Sequence, residues 1–310
     1  MNEYGSGVVE LPKKIVLSGA SGGLGTAIRA ELALRGMPIL QLVRGVASAE
    51  GQVGWDPGRW PALENPEPFE GCAAAIHLSG ANLAGRRWTE DYRRAMVASR
   101  VDSTRALAKT LAGLRTPPRV LVVSSAVGIY GDRGNLLADE SSEPGDGFLA
   151  AMCRLWEEAA QPAVDAGIRV VHARFGVVLG RGPGALQKIL PLFRLGLGGR
   201  LGSGRQWMSW ISLEDTVAAV LFAVKNDSLG GPVNVTAPTP VTNAEFTQAL
   251  GRAVHRPAIL PAPAFVLRIV LGQMADEALL TSTRAVPKRL LEAGFTFKHP
   301  VVEEALAAIR

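Results

Sequence analysis

Short apolar runs bounded by turn residues recur along the first 180 residues: Ile15–Ser18, Met37–Val43, Ala73–Leu78, Val120–Ser124 and Val170–Phe175. Runs of this length, apolar at successive positions, predict strands buried on both faces of a parallel sheet. Between them Thr26–Arg35, Asp91–Leu114 and Phe148–Ala166 carry helical periodicity. Such alternation predicts right-handed crossovers and an α/β, doubly wound sheet. After Gly180 the texture changes. Seven glycines between 182 and 204 precede Trp207, Met208 and Trp210, which predicts a loop-rich wall able to close over a ligand. A helix over Leu213–Lys225 and a strand over Val233–Thr236 follow, and Thr242-Asn243-Ala244-Glu245 reads as a capping-box helix start. Ala262 to Gly272, apolar but holding Pro263 and Arg268, reads as a packed helix in a mostly helical C-terminal unit. The expected division is a tail at 1–12, a sheet domain from 13–180 plus 205–236, and a substrate-side lid and helical domain from 181–204 plus 237–310.

The first strand runs into Gly19-Ala20-Ser21-Gly22-Gly23-Leu24-Gly25, and a helix follows. Gly19 suits the sharp strand-to-helix turn, Gly22 leaves room for a pyrophosphate, and Gly25 lets the helix pack closely on the sheet. The unpaired N–H groups and dipole at the helix start favour anionic charge. In this strand–turn–helix context the motif predicts a dinucleotide held by Gly19, Ser21, Gly22, Gly23, Leu24 and Gly25 on a Rossmann-like sheet. The second strand ends Leu42-Val43-Arg44-Gly45, with no acid to accept from a ribose 2′-hydroxyl. Arg44 matches a 2′-phosphate in charge and shape, so NADP is expected rather than NAD.

Composition narrows the class. Apolar residues make up 47% of 310 residues and charged residues 20%, an ordinary globular balance. No uninterrupted apolar stretch reaches about 18 residues, which predicts no membrane span. The first twelve residues lack a basic start and an apolar core, so they do not read as a signal peptide. Cys72 and Cys153 stand far apart and predict no disulfide framework, which suits a reducing cytoplasm. His77, His172, His255 and His299 lack ligand spacing, so no metal is expected. The net charge of +5 comes without a long basic run, which argues against nucleic acid and leaves room for a phosphorylated small molecule.

The sequence resembles the extended short-chain dehydrogenase/reductases. The resemblance rests on the glycine turn, Ile76-His77-Leu78-Ser79-Gly80, Val123-Ser124-Ser125-Ala126-Val127-Gly128-Ile129-Tyr130-Gly131 and Arg174-Phe175-Gly176-Val177-Val178-Leu179-Gly180. More narrowly it is similar to an epimerase-like subfamily often labelled nucleoside-sugar epimerase or cell-division inhibitor. The shared marks are Trp55-Asp56-Pro57, Ala81-Asn82-Leu83, Arg87-Trp88, Ser99-Arg100, Cys153-Arg154-Leu155-Trp156-Glu157 and the C-terminal helical unit. The likeness covers nearly the whole chain from Lys13. It implies further cofactor contacts from Leu78, Ser79, Gly80, Ser124, Arg174, Gly176 and Val177. It also implies a monomer or a homodimer built on the long helices.

The wider family transfers a proton through a Ser/Thr, a Tyr and a Lys, helped by an Asn. The resemblance sets these positions on Ala126, Leu149, Cys153 and Arg100. Leucine cannot carry a proton, and a thiol has no fixed positive charge. Ser125, Tyr130, Cys153 and Arg100 are therefore the candidate catalytic groups. Each also has a structural alternative: a strand-end hydroxyl, a packed phenol, a buried thiol and an arginine paired inside the fold. Two functions follow as expectations. One is an NADP-dependent epimerase, dehydratase or reductase of unusual mechanism on a small polar or nucleotide-linked substrate. The other is a non-catalytic NADP(H) sensor, with a link to cell division implied by the subfamily label.

Overall fold

The computed structural model describes residues 14–63, 65–182 and 184–309, so the tail expected at 1–12 lies outside the described residues. Seven strands form one parallel sheet: β1 (Ile15–Ser18), β2 (Ile39–Arg44), β3 (Gln52–Trp55), β4 (Ala74–His77), β5 (Val120–Ala126), β6 (Arg169–Phe175) and β7 (Gly231–Val235). Their order is β7-β6-β5-β4-β1-β2-β3, and every neighbouring pair is parallel. The order reverses between β1 and β4, where crossovers leave the sheet in opposite directions and a crevice opens at the strand ends.

Alternation along the strands builds two cores. Ile15, Leu17, Ile76, Val120 and Val122 pack on one face with α1 (Gly23–Leu34) and the helix at Leu213–Lys225. Val16, Ala75, Leu121 and Val123 pack on the other with α2 (Glu90–Ala112) and the short helix at Gln161–Asp165. This is the Rossmann-like three-layer arrangement. A mostly helical C-terminal region follows β7.

Several expectations change in detail. β3 was not foreseen; it is a four-residue edge strand containing Gly54, too short and too mixed to stand out. The helix expected over Phe148–Ala166 is two, α3 (Phe148–Glu158) and the turn from Gln161, because Pro162 cannot continue the first. The glycine-rich wall after Gly180 contains a helix, Ala185–Arg194, that runs through Pro191. The capping box forms as expected, with Thr242 and Glu245 satisfying each other's backbone. The apolar stretch near 262–272 is helical over Ala264–Leu271 but not packed: none of its residues is buried, and Phe265, Ile269 and Val270 are each more than 60% exposed.

The C-terminal region is joined to the sheet domain by apolar packing, with Leu290 and Phe295 in the core beneath the sheet and Val302, Ala305 and Leu306 against Leu179 and Trp210, and by hydrogen bonds. Asp215 accepts from Lys298 N at 2.7 Å and His299 N at 3.0 Å. Glu277, in a π-helical turn, accepts from Phe148 N at 2.9 Å and Leu149 N at 3.0 Å, capping the start of α3. Gly147, at φ +100°, precedes that start; a Cβ there would come within 2.9 Å of the Glu277 carboxylate.

Candidate functional site

β1 and β4 are locked at the crevice. Ser18 Oγ lies 2.6 Å from His77 Nδ1 and accepts from Leu78 N at 3.2 Å, while Ser103 holds the other His77 nitrogen at 3.0 Å. Burial drops the His77 pKa to about 3, so this ring is a neutral strut.

The glycine turn leaves β1 at this point. Gly19 sits at φ +70°, and a Cβ on it would fall 2.8 Å from the Leu78 backbone. A Cβ on Gly25 would fall 2.2 Å from Gly19 O, whereas one on Gly22 would meet protein only at 3.4 Å. Gly19 and Gly25 are thus demanded by the fold, and Gly22 leaves space for something else. The start of α1 has no side-chain cap and no acid in its first turn. α2, by contrast, opens with the Thr89 cap and the acids Glu90 and Asp91. The bare start of α1 presents unpaired N–H groups and a positive dipole end to the crevice. Ser21 is exposed on the same turn. Arg44 ends β2, is exposed, and enters no ion pair among the described residues.

A cleft of about 310 Å³ runs from Gly19, Gly22, Gly23, Leu24 and Gly25, past Leu78, Ser79 and Gly80, to Ser124, Ser125, Ala126 and Cys153. Arg100 of α2 and Leu149, Met152 and Trp156 of α3 complete its far end. The four positions that the resemblance ties to proton transfer (Ala126, Leu149, Cys153 and Arg100) all face this one cavity. Leu83, Met152 and Phe175 line it without having been singled out. For Met152 the helical spacing from Leu149 to Cys153 and Trp156 was the available signal.

Other expected site residues lie elsewhere. Tyr130 is fully buried outside the cleft lining, because the 3-10 turn Val127–Tyr130 tucks it under β5. Its hydroxyl donates to Asn234 Oδ1 at 2.8 Å and accepts from Arg174 at 3.0 Å, and burial raises its pKa. It cannot touch a ligand in the cleft. Arg174 is also buried and is held by Glu157 through two bonds of 2.8 Å. Burial alone would lower its pKa; the hydrogen-bonded Glu157 carboxylate more than offsets that and holds it above its ordinary range. Gly176 N and Val177 N donate to Val235 O and Ser209 O, which fixes them in strand pairing.

Ser125 Oγ donates to the same Glu157 at 2.7 Å, so the cleft hydroxyl is oriented by the buried pair behind it. The Cys153 thiol is pushed up to about 12, by burial first and by the Glu157 carboxylate second. It remains protonated at neutral pH and cannot act as a thiolate. Cys72 is also buried, and burial raises its pKa. In native protein at neutral pH, both cysteines are expected to react with an aromatic disulfide reagent at least about 100-fold more slowly than in denaturant. Prompt labelling of Cys153 would show an open route to an activated sulfur.

A sequence model of the NAD dependent epimerase/dehydratase family matches residues 15–236. This chain belongs to that family. A second model, described as a domain of unknown function, matches residues 262–309 of the epimerase-family chain. The epimerase family protein Mb2239 of Mycobacterium bovis is 44% identical over 294 residues, covering 94% of this chain and 96% of that one. The crystal structure of human epimerase family protein SDR39U1 (isoform2) with NADPH superposes with a TM-score of 0.88 at 34% identity, covering 96% of this chain and 98% of that one. A nucleoside-diphosphate sugar epimerase from Corynebacterium glutamicum gives 0.80 at 32% identity, covering 96% of this chain and 58% of that one. Among the described residues of this family member, no helix is long and apolar enough to cross a membrane. No group of three or more His, Cys, Asp or Glu among them could hold a metal ion.

Proposed function

We propose that this chain is an NADP(H)-dependent oxidoreductase of the epimerase/dehydratase family that acts on a small polar substrate without the family's usual Ser-Tyr-Lys proton relay. The observation that carries the reading is the single cleft joining a bare helix start at one end to Arg100, Ser125 and Cys153 at the other. The space at Gly22 fits a diphosphate, with the first N–H groups of α1 as donors. Arg44 fits the 2′-phosphate, and the NADPH-bound human relative supports that choice over NAD. When bound, the nicotinamide supplies or accepts a hydride. Of the side chains at the far end, Ser125 has its proton held by Glu157 and so offers its oxygen as an acceptor for a substrate hydroxyl, and Arg100 is a cation able to stabilise negative charge there. Leu83, Leu149 and Met152 exclude water from that end. The two unpaired cysteines support a reducing compartment such as the cytoplasm.

Calorimetry with purified protein tests this. NADPH is expected to bind more tightly than NADH, with Arg44→Ala removing about tenfold to hundredfold of NADPH affinity and leaving NADH unchanged. Absence of binding by either coenzyme, or equal affinity for both in the parent protein, would overturn the assignment. A second reading, an NADP(H)-sensing protein without turnover, is favoured by Ala126, Leu149 and a protonated Cys153 at the relay positions. Nicotinamide absorbance that stays constant across a broad carbonyl and nucleotide-sugar panel, despite tight coenzyme binding, would select it.

A further inference from the structure

Arg100 and Arg174 are the two guanidinium groups buried beside the far end of the cleft, and the fold treats them differently. Arg174 has its carboxylate, Glu157, in a two-bond pair. Arg100 is 7% exposed and has none. Its Nη1 donates to Met96 O at 3.1 Å and its Nη2 to Ala81 O at 2.9 Å. Its Nε is buried without any acceptor among the described residues. The guanidinium carbon lies 5.0 Å from the Trp156 ring centroid, and a Cβ on Gly80 would come within 3.1 Å of it. A π face and a bare backbone therefore flank it, and no anion does. The ionisable side chains that act on it most are Cys153 and Tyr92, a thiol and a phenol.

A guanidinium taken out of water without a counter-ion is costly, and carbonyl acceptors do not neutralise it. Its five donors serve two carbonyls here, so the remainder have no protein partner in view. Arg100 is also the sole charged side chain among the described residues lining the cleft. Its near walls, Leu83, Leu149 and Met152, are apolar and strengthen any ion pair made against it.

We infer that Arg100 is a counter-charge socket, and that the ligand accepted at this end of the cleft carries a carboxylate. One buried cation balances a carboxylate's single negative charge. A phosphate near two charges would leave an excess buried against apolar walls. The planar carboxylate also matches the planar donor fork. The small cleft, already shared with the coenzyme end, calls for a compact acid such as a short oxo or hydroxy acid. The inference deepens the proposed function by naming a substrate class, and rests on it only in taking the cleft as the ligand site.

The test uses full-length protein, with and without saturating NADPH. The probes are pyruvate and 2-oxobutyrate, hydroxyacetone as a neutral analogue, and inorganic phosphate. Thermal shift and calorimetry should show the two acids binding and the neutral ketone at least about tenfold weaker. Arg100→Gln should lose acid binding by about tenfold to hundredfold, while Arg100→Lys keeps part of it. Should Arg100→Gln fail to fold, the Arg100→Lys variant and the acid-to-ketone ratio in the parent protein decide the matter. Equal binding of acid and ketone, phosphate binding more tightly than either acid, or acid binding unchanged in the substituted protein would each overturn the inference. Failure of NADPH to bind would sink the coenzyme assignment instead. Acid binding without coenzyme, dependent on Arg100, would still sustain the socket.

Discussion

Glu157→Ala is expected to lower the unfolding free energy by about 3–5 kcal/mol, among the largest single-residue effects in this chain. The carboxylate accepts from Arg174 Nε and Nη2 and from Ser125 Oγ, and the arginine and glutamate side chains are only 7% and 13% exposed. Removing it strands a buried guanidinium and frees a cleft hydroxyl. The chain of contacts continues from Arg174 through Tyr130 to Asn234, whose Nδ2 donates to Val286 O. Loss of Glu157 should therefore loosen both the cleft and the attachment of the C-terminal region. Replacing both partners, Glu157→Leu with Arg174→Met, should recover much of the loss, because an apolar pair leaves no charge to desolvate. Denaturant midpoints at unchanged slope report the difference. A single substitution costing under about 1 kcal/mol would mean that water reaches Arg174 and that the pair is not a buried one.

The second large effect separates binding from folding at the glycine turn. Gly22→Ala and Gly25→Ala should both reduce NADPH affinity by at least about 100-fold, the first because its side chain fills the space for the diphosphate and the second because it displaces the turn itself. Their stabilities should differ. A Cβ on Gly25 would lie 2.2 Å from Gly19 O and 2.9 Å from the Ala20 Cα, both backbone atoms of the turn. Overpacking of this kind costs about 1–3 kcal/mol. On Gly22 the nearest protein atom lies 3.4 Å away, so that variant should unfold close to the parent temperature. Calorimetry beside thermal melts gives both readouts. A Gly22→Ala protein that binds NADPH like the parent would show that the diphosphate does not sit on this turn.

What was legible in the sequence was local. The glycine turn, the buried strands and the capping box at Thr242 each declare themselves within about ten residues, through steric need or periodicity. What was not legible depended on partners far along the chain. Arg174 was expected at the coenzyme, but Glu157 and Tyr130, 17 and 44 residues away, occupy it. Tyr130 was expected near the chemistry, but it is fully buried and its hydroxyl is taken by Asn234 and Arg174, 104 and 44 residues away. β3 escaped because an edge strand with a glycine has little pattern to show. The helix at Ala264–Leu271 was found, yet its exposed apolar face was not, since apolar content alone does not say which side is covered. Arg100 could be read from the sequence either as a candidate catalytic group or as an arginine paired inside the fold. That it lacks an internal acid could be learned only from the folded arrangement.

The Glu277 clamp has an implication for how this chain can be divided. The helix that supplies Leu149, Met152 and Cys153 to the cleft wall begins on backbone groups held by a residue from far downstream. Gln273 donates to that carboxylate, and Arg93 of α2 donates in turn to Gln273. A fragment ending after β7 would keep every strand of the sheet yet leave that wall without its fastening. The part that carries the glycine turn and the part that completes the opposite wall are therefore mechanically joined, and a cut between them would release the start of that helix.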